Sequence, residues 1–326
     1  LLFPKQRLTK KRRFYYKNYE DNLYCPLGAA ALEAYDKGSG AETRPTEKVT
    51  KGKLIQSPAK MASVVSSSAM TFNLLGNEPV EITSGTLIPH GKYEVQYEKQ
   101  MYTIRRGSNP ANLDAFLSDK LGKTAVFCEM KFLEWLGSLG ALKDAYLGES
   151  YFFKPDNSAV GFPIDAYSAF RDVIMALTDR VVPDKKTGHN LHHSIFAHYD
   201  AWQMLKHLLA IYNYTSFVTK AAIDSFGEYP SMAGLYDRIL LLNIVNEFPV
   251  ECIEDFEARD KYAEVMSQEQ DEARYFCEII RKSEIPHLFD NNCNAGIEIR
   301  YVSAKEFADA IEMPKGKRDY LKRYFS

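Results

Sequence analysis

Hydrophobic positions after residue 57 change between helix-like and strand-like spacing. "SPAKMASVVSSSAMTFNLLG", residues 57–76, predicts a helix, because Ser57 before Pro58 suits a cap and Gly76 suits the end. Three strands are then predicted, over "YEVQYEKQMYTI" (93–104), "NLDAFL" (112–117) and "TAVFCEMKF" (124–132). The short connection "SDKLGK" between the second and third strands favours a hairpin.

The second half of the chain combines long helical patterns with two further strands. Helical spacing covers the residues 162–182, 198–214 and 256–283. "DRILLLNIVNEF" (237–248) is a continuous apolar run, typical of a strand covered on both faces. "GIEIRYVS" (296–303) predicts a last strand, which leads into a helical segment at 304–312. This order predicts an α/β fold in which a central mixed β-sheet is flanked by helices.

A Gly-, Thr- and Lys-rich segment, "KGSGAETRPTEKVTKGK" (37–53), predicts a surface linker. Residues 1–56 are therefore expected to form a basic arm and linker, and residues 57–326 one domain with a C-terminal helical extension. No apolar run reaches the roughly 20 residues of a membrane helix. The five cysteines are scattered without a CxxC pair, which argues against disulfides and structural zinc. These features favour a cytoplasmic protein without a membrane segment.

The charge of the chain is balanced overall but uneven locally. The formal net charge is −2, which gives no whole-molecule signature of a polyanionic partner. Residues 5–17 nevertheless contain seven Lys and Arg residues and no acid, and the tail "PKGKRDYLKRYFS" is also basic. Such runs either bind phosphates or simply form a solvated end, and the second reading is the more common one.

Two charged residues interrupt the apolar strand "TAVFCEMKFLEW". Residues two apart on a strand share a face, so Glu129 and Lys131 project together while their neighbours point into the core. The hairpin is expected to bring Asp114 beside them, with Leu113 and Ala115 on the buried face. Burying any one of these charges alone is costly, so each needs a partner, a metal or a chemical role.

The three side chains suit metal-dependent hydrolysis of a phosphodiester. Mg²⁺ is usually held by one or two carboxylates and substrate phosphate oxygens, which matches Asp114, Glu129 and the Met130 carbonyl. Lys131 would orient or deprotonate the attacking water. The pattern therefore predicts Mg²⁺, with Mn²⁺ as a substitute, as the cofactor.

Asp114, a gap, and then Glu129-Met130-Lys131 on successive strands resemble the PD-(D/E)XK nuclease superfamily, over about residues 57–250. The stretches "SSSAMTFNLLGN", "YEKQ", "NLDAFL", "CEMKFLEW" and "QMLKHLLAI" look like one bacterial group of proposed type II restriction endonucleases. The resemblance implies a restriction endonuclease-like core, in which Asp114 and Glu129 bind the metal and Lys131 serves hydrolysis. It also implies a positioning role for Gln203, since many members carry a glutamine on the following helix.

The chain departs from the family pattern at two places. Asn112 and Leu113 stand where the name of the motif has proline, and the first predicted helix has no acid where many members carry one. We take Glu98 as the further metal ligand. Glu78 and Glu81 could serve in its place, and Glu134 is either a residue that supports the ligands or an exposed one.

Two readings compete for individual residues. Glu129 and Lys131 could form the solvated face of an edge strand. Five of the seven histidines lie between His189 and His207, which invites a zinc site, but no HExxH motif or nearby cysteine completes one. A histidine-rich loop near a DNA groove or a plain surface loop is the favoured interpretation. Lys206 and His207 follow Gln203 on the same helix face.

The sequence as a whole predicts a Mg²⁺-dependent endonuclease that acts on double-stranded DNA, as a homodimer where both strands are cut. The basic arm and the histidine loop are candidates for DNA contact. The alternative function is a catalytically inactive DNA-binding or protein-interaction module on the same α/β core, in which Glu129 and Lys131 form a surface ion pair.

Overall fold

The structure is a computed structural model, which describes residues 15–37, 42–50, 52–103, 109–133, 139–148, 164–253 and 255–325. The basic run before Tyr15 and the candidate Glu134 lie outside the described residues, as does part of the predicted linker. Among the helices of the described part, none is long and apolar enough to cross a membrane.

The described part folds into strands and helices, with one run of five consecutive strands before the middle of the chain. The strands are β1 Thr46–Thr50, β2 Lys53–Ser57, β3 Val80–Ile82, β4 Gly91–Met101, β5 Ala111–Asp119, β6 Thr124–Lys131, β7 Leu142–Lys143, β8 Thr178–Pro183, β9 Asn190–Ser194, β10 Arg238–Val245 and β11 Gly296–Ser303. The helices are α1 Ala29–Lys37, α2 Ser67–Leu75, α3 Ile164–Leu177, α4 Ala201–Thr215, α5 Lys220–Phe226, α6 Phe256–Lys282, α7 Ile285–Cys293, α8 Ala304–Ala310 and α9 Lys315–Phe325.

Six strands form the central sheet, in the order β11-β10-β6-β5-β4-β3. β10 runs parallel to both β6 and β11, whereas β3, β4, β5 and β6 pair antiparallel in sequence. The sheet is therefore mixed, as predicted. The antiparallel pair β5–β6 is the predicted hairpin, and β10 is buried along almost its whole length as an interior strand.

Helices cover both faces of the central sheet and enclose two hydrophobic cores. On the α4 side, α3, α4, α6 and α7 pack against sheet residues such as Phe116, Phe127 and Leu241. On the α2 side, α1, α2, α8 and α9 pack against sheet residues such as Leu117 and Val126. This arrangement confirms the predicted α/β class with a mixed sheet between helices.

The first predicted helix starts later than its sequence suggested. Ser57 ends β2, and α2 is capped instead by Ser66, whose Oγ accepts a hydrogen bond from the Ala69 amide at 3.1 Å. Serines favour caps over helix interiors, so the helix starts at the serine run Ser66–Ser68, with the first serine as its cap. The prediction of a helix from Ser57 was wrong for the residues before Ser66.

Two other segments differ from their predicted state. Part of the predicted surface linker forms a hairpin, because Thr46 and Val49 in β1 and Ile55 in β2 favour extended backbone and Gly52 turns with a φ of 73°. The helix predicted over 162–182 ends at Leu177, and β-branched Thr178, Val181 and Val182 continue as β8, which pairs with β9.

Candidate active site

The candidate site lies where β5 and β6 separate. Their ladder ends at the pair Ala115 and Cys128, one residue short of Asp114. Beyond that point the Asp114 carboxylate takes the place of a backbone partner, because its Oδ2 accepts a hydrogen bond from the Met130 amide at 2.6 Å. The separated strand ends leave room for side chains between them.

A local change in the two strands turns Asp114 toward this opening. Glu98 on β4 has a φ of 50°, which is unusual for a residue other than glycine, and it lies opposite Asp114 in the register. Leu113 packs on the α4 side, whereas Ala115 packs on the α2 side, although residues two apart on a regular strand share a face. The expectation that Leu113 and Ala115 share one buried face was therefore wrong.

Glu129 lies at the centre of a hydrogen-bonded cluster on the α4 side. Its Oε1 accepts hydrogen bonds from Lys131 Nζ and from Gln203 Nε2, both at 2.7 Å. Its Oε2 lies 2.9 Å from His207 Nε2. Gln203 Oε1 in turn accepts a hydrogen bond from Lys131 Nζ at 2.6 Å, so Glu129, Lys131 and Gln203 are all hydrogen-bonded to one another.

Helix α4 brings Gln203 and His207 to this cluster. Its N-cap, Asp200, accepts a hydrogen bond from the Gln203 amide at 3.0 Å, which fixes the first turn. Trp202 and Leu205 pack into the core, so the face that carries Gln203 and His207 points along the sheet toward β6. His207 is a site residue whose contact with Glu129 the sequence did not predict, although its spacing from Gln203 was the available signal.

Burial and charge act in opposite directions on the two carboxylates. Burial raises the pKa of Asp114 well above its ordinary value, and the neighbouring Glu129 carboxylate raises it further. Burial alone would also raise the pKa of Glu129, but the nearby Lys131 and His207 side chains outweigh burial and lower it. Glu129 is thus the carboxylate that stays ionised, and Asp114 is the one whose charge needs a further cation.

Both carboxylates line a cavity of about 480 Å³. The described residues that line it include four acids, Glu42, Glu98, Asp114 and Glu129, and one lysine, Lys60. Glu98 is buried there and accepts a short hydrogen bond from Asn112. A carboxylate-rich, oxygen-lined cavity suits a hard divalent cation.

Glu42 is the acid in this cavity that sequence reasoning missed. It lies in the segment interpreted as a surface linker, yet it is only 4% exposed. Its carboxylate pairs with Lys60 at 2.6 Å and accepts a hydrogen bond from Ser68 in the first turn of α2 at 2.7 Å. Glu42, which lies outside α2, therefore supplies an acid beside this helix, which contains none itself. Glu78 and Glu81 are exposed and do not line the cavity, so neither takes the place of Glu98.

The histidines do not gather at one point. His189 contacts Asp144, with 3.1 Å between Nδ1 and Oδ1, His192 lies 3.4 Å from the Thr178 hydroxyl, and His207 contacts Glu129. Within the described ranges, no group of three or more His, Cys, Asp and Glu side chains is arranged to hold a metal ion. A cation at the candidate site would therefore rest on Asp114 and Glu129, with water and substrate completing its coordination.

Comparisons with protein-family models, with curated proteins and with solved structures find no match to this chain. The interpretation of the site therefore depends on its geometry and chemistry.

Proposed function

We propose that the protein is a Mg²⁺-dependent endonuclease of the restriction type, with a PD-(D/E)XK core, that hydrolyses phosphodiester bonds in double-stranded DNA. One observation carries the proposal: Asp114, Glu129, Lys131 and Gln203 meet where β5 and β6 separate, beside a carboxylate-lined cavity. A buried arrangement of two carboxylates, an ammonium and an amide is costly for a purely structural purpose.

Asp114 and Glu129 would hold the divalent ion. The raised pKa of Asp114 supports this role, because a cation next to it would offset the repulsion from Glu129 and favour its charged form. A bound Mg²⁺ or Mn²⁺ would supply Lewis-acid chemistry, lowering the pKa of water and offsetting charge on phosphate oxygens. Glu98 and Glu42 add negative charge to the same cavity.

Lys131 and Gln203 would act on the water and the phosphate. The ammonium of Lys131 is held by Glu129 and Gln203 within 2.7 Å, so its position is fixed before substrate arrives. From there it can orient the attacking water and stabilise negative charge that develops on the phosphate. Gln203 fixes the orientation of both Glu129 and Lys131. A homodimer would place two such sites on the two strands of a duplex.

Plasmid cleavage tests the proposal. We expect the purified protein to cut DNA with Mg²⁺ or Mn²⁺ and not with EDTA. Asp114→Asn should lower the cleavage rate about 10²- to 10³-fold, as is typical for loss of an electrostatic catalytic group, and should keep DNA binding in EDTA. Asp119→Asn, at the opposite end of β5, is the matched control and should cut normally. A wild-type protein that leaves DNA intact under all these conditions would refute the proposal.

An inactive DNA-binding or protein-interaction module on the same core is the second candidate. It is favoured by the fact that both oxygens of Glu129 already have protein partners. On this view Glu129 and Lys131 are a structural ion pair. DNA binding without cleavage, unchanged by Asp114→Asn, would support this second function.

A further inference from the structure

A second cavity, of about 550 Å³, adjoins the candidate active site on the side of α4. Asn112 and Gln203 line both cavities, so the two spaces meet at these side chains. The second cavity is bounded by α4, by the start of β5 and by the β7 region from Ala141 to Tyr146.

The two cavities carry opposite charge. Four carboxylates and one ammonium line the active-site cavity among its described residues. Among those of the second cavity the charged groups are Lys143, Lys206 and Asp200, with His189. Asp200 is already engaged as the cap of α4, and His189 contacts Asp144. The second cavity is therefore suited to an anion, next to a cavity suited to a cation.

Lys206 is the more buried of the two lysines that line this second cavity. It is half-buried, and it forms no ion pair or hydrogen bond with any residue that the structure describes. Burial lowers its pKa, and this effect outweighs the nearby Asp200 and Glu129 carboxylates, which raise the pKa. A desolvated ammonium without a counter-ion is destabilising, and a bound anion would relieve that cost.

Neutral polar groups complete the wall around Lys206. The hydroxyls of Thr103 and Tyr146 contact each other at 3.1 Å on one side. His207 is 2% exposed, and its Nδ1 has no hydrogen-bond partner in the described part of the chain. Asn112 Oδ1 is likewise buried without a partner there. The hydroxyls can donate a hydrogen bond to a phosphate oxygen, and Asn112 Oδ1 can accept one from a water bound to that phosphate.

We propose that this cavity binds the phosphate adjacent to the scissile phosphodiester on the same nucleic-acid strand, with Lys206 as its counter-ion. The inference rests on the proposed nuclease function and adds a binding site to it. Gln203 and Lys206 are three residues apart on α4, which separates their Cβ atoms by about 5–6 Å. A strand whose reacting phosphate lies near Gln203 and Lys131 would therefore pass its next phosphate into reach of Lys206.

Binding of a fluorescent double-stranded oligonucleotide in EDTA tests this site without cleavage. We expect Lys206→Gln to weaken binding about 5- to 10-fold and to reduce the slope of log K against log salt by about 1, because one phosphate contact is lost. Lys206→Arg should restore most of the affinity, which separates a charge effect from misfolding. Lys120→Gln, in the exposed β5–β6 turn, is the matched lysine control and should bind like wild type.

The two failures are distinguishable. If wild type cleaves DNA with Mg²⁺ but Lys206→Gln binds with unchanged affinity and salt slope, the phosphate site is refuted and the nuclease function stands. If binding depends on Lys206 while no metal supports cleavage, the phosphate site stands and the nuclease function is refuted. A third outcome is that inorganic phosphate alone stabilises wild type but not Lys206→Gln, while both proteins bind the oligonucleotide equally well. That outcome would assign the cavity to a free anion and refute the proposal that it binds a phosphate of the nucleic-acid strand.

Discussion

Glu129 and Glu269 are two buried carboxylates in opposite states. They are 3% and 1% exposed, and burial favours the neutral form of each. Glu129 is held charged by Lys131 and His207. Glu269, in α6, has the Tyr301 hydroxyl at 3.3 Å as a hydrogen-bond donor, forms no ion pair within the described ranges, and its burial raises the pKa to about 8.

The comparison shows that the partner decides the charge at equal burial. Glu269 is surrounded by further acids, Glu247 and Glu272, which raise its pKa, whereas Glu129 faces an ammonium and an imidazole. A carboxyl group that is neutral at pH 7 has to lose its proton before it can bind Mg²⁺, whereas a charged one can bind directly. Lys131 also lowers the pKa of Glu269 through space, so the two carboxylates are electrostatically linked by one lysine.

Lys131→Met should have the largest effect on stability at pH 7, because it removes the ammonium that distinguishes Glu129 from Glu269. The substitution leaves Glu129 buried without its ammonium, so we expect the free energy of unfolding at pH 7 to fall by about 3 kcal/mol. Urea denaturation measures the change.

The double variant Lys131→Met with Glu129→Gln is the control. It should recover most of the loss, because no buried charge remains. A Lys131→Met protein as stable as wild type would show that Glu129 is not held charged by this lysine.

Glu269→Gln tests the other carboxylate through pH. The folded pKa of Glu269 is about 8, above the usual value of about 4.5, so the folded state binds the proton more tightly than the unfolded state. The stabilising effect of that proton is full below about pH 4.5 and is lost as pH rises toward 8. We expect wild type to lose about 2.5 kcal/mol relative to Glu269→Gln between pH 5 and pH 7, and more by pH 8.5.

Denaturation curves of both proteins at pH 5, 7 and 8.5 give this difference directly. Glu278→Gln, an exposed change on the same helix, should leave the pH dependence of wild type intact. Parallel curves for wild type and Glu269→Gln would mean that Glu269 is ionised in the folded protein.

The sequence was sufficient to predict side-chain positions where the residue spacing within one strand or helix determined them. Glu129 and Lys131 share a face because they are two apart on a strand, and their contact at 2.7 Å follows from that spacing. The helical spacing of the apolar residues in α4 placed Gln203 in the same way. The sheet class followed from the order of the strands and helices. The chemical roles of these residues stay predictions.

The sequence was insufficient where the tertiary fold decided the position. Glu42 has no periodic neighbours, and only the packing of residues 42–63 against α2 brings it to the cavity. The alternation of β4 continues through Glu98 in the sequence, so its positive φ and the change of face between Leu113 and Ala115 leave no trace in the pattern. Periodicity within one element does not predict non-local contacts of this kind.

Asp114→Asn should change the free energy of unfolding by less than Lys131→Met does, and in the opposite direction. Deprotonation of Asp114 opposes folding at neutral pH because its folded pKa is raised, so the neutral amide should stabilise the protein by about 1 kcal/mol in EDTA. Asparagine can still accept the hydrogen bond from the Met130 amide.

Mg²⁺ should reverse the order of stability, so that wild type becomes more stable than Asp114→Asn. A ligand at 100 times its dissociation constant stabilises the folded state by about 2.7 kcal/mol, and only wild type keeps both carboxylates to bind it. Thermal unfolding of each protein with EDTA and with Mg²⁺ measures this. Equal Mg²⁺ effects on wild type and Asp114→Asn would exclude Asp114 as a ligand.

Tyr301→Phe should produce the smallest change, at the neutral carboxylate Glu269 and its neighbour Glu247 and not at Glu129. The Tyr301 hydroxyl donates to Glu247 at 2.9 Å and lies 3.3 Å from Glu269, and its hydrogen bond lowers the pKa of Glu269. Its removal should raise that pKa above about 8 and lower the free energy of unfolding at pH 7 by about 1 kcal/mol. The midpoint of the pH-dependent stability loss should therefore move upward, while DNA cleavage stays as in wild type, because Tyr301 contributes no hydrogen bond to Glu129. A downward shift would mean that the hydroxyl stabilises the protonated form of Glu269, which would reverse the assigned cause.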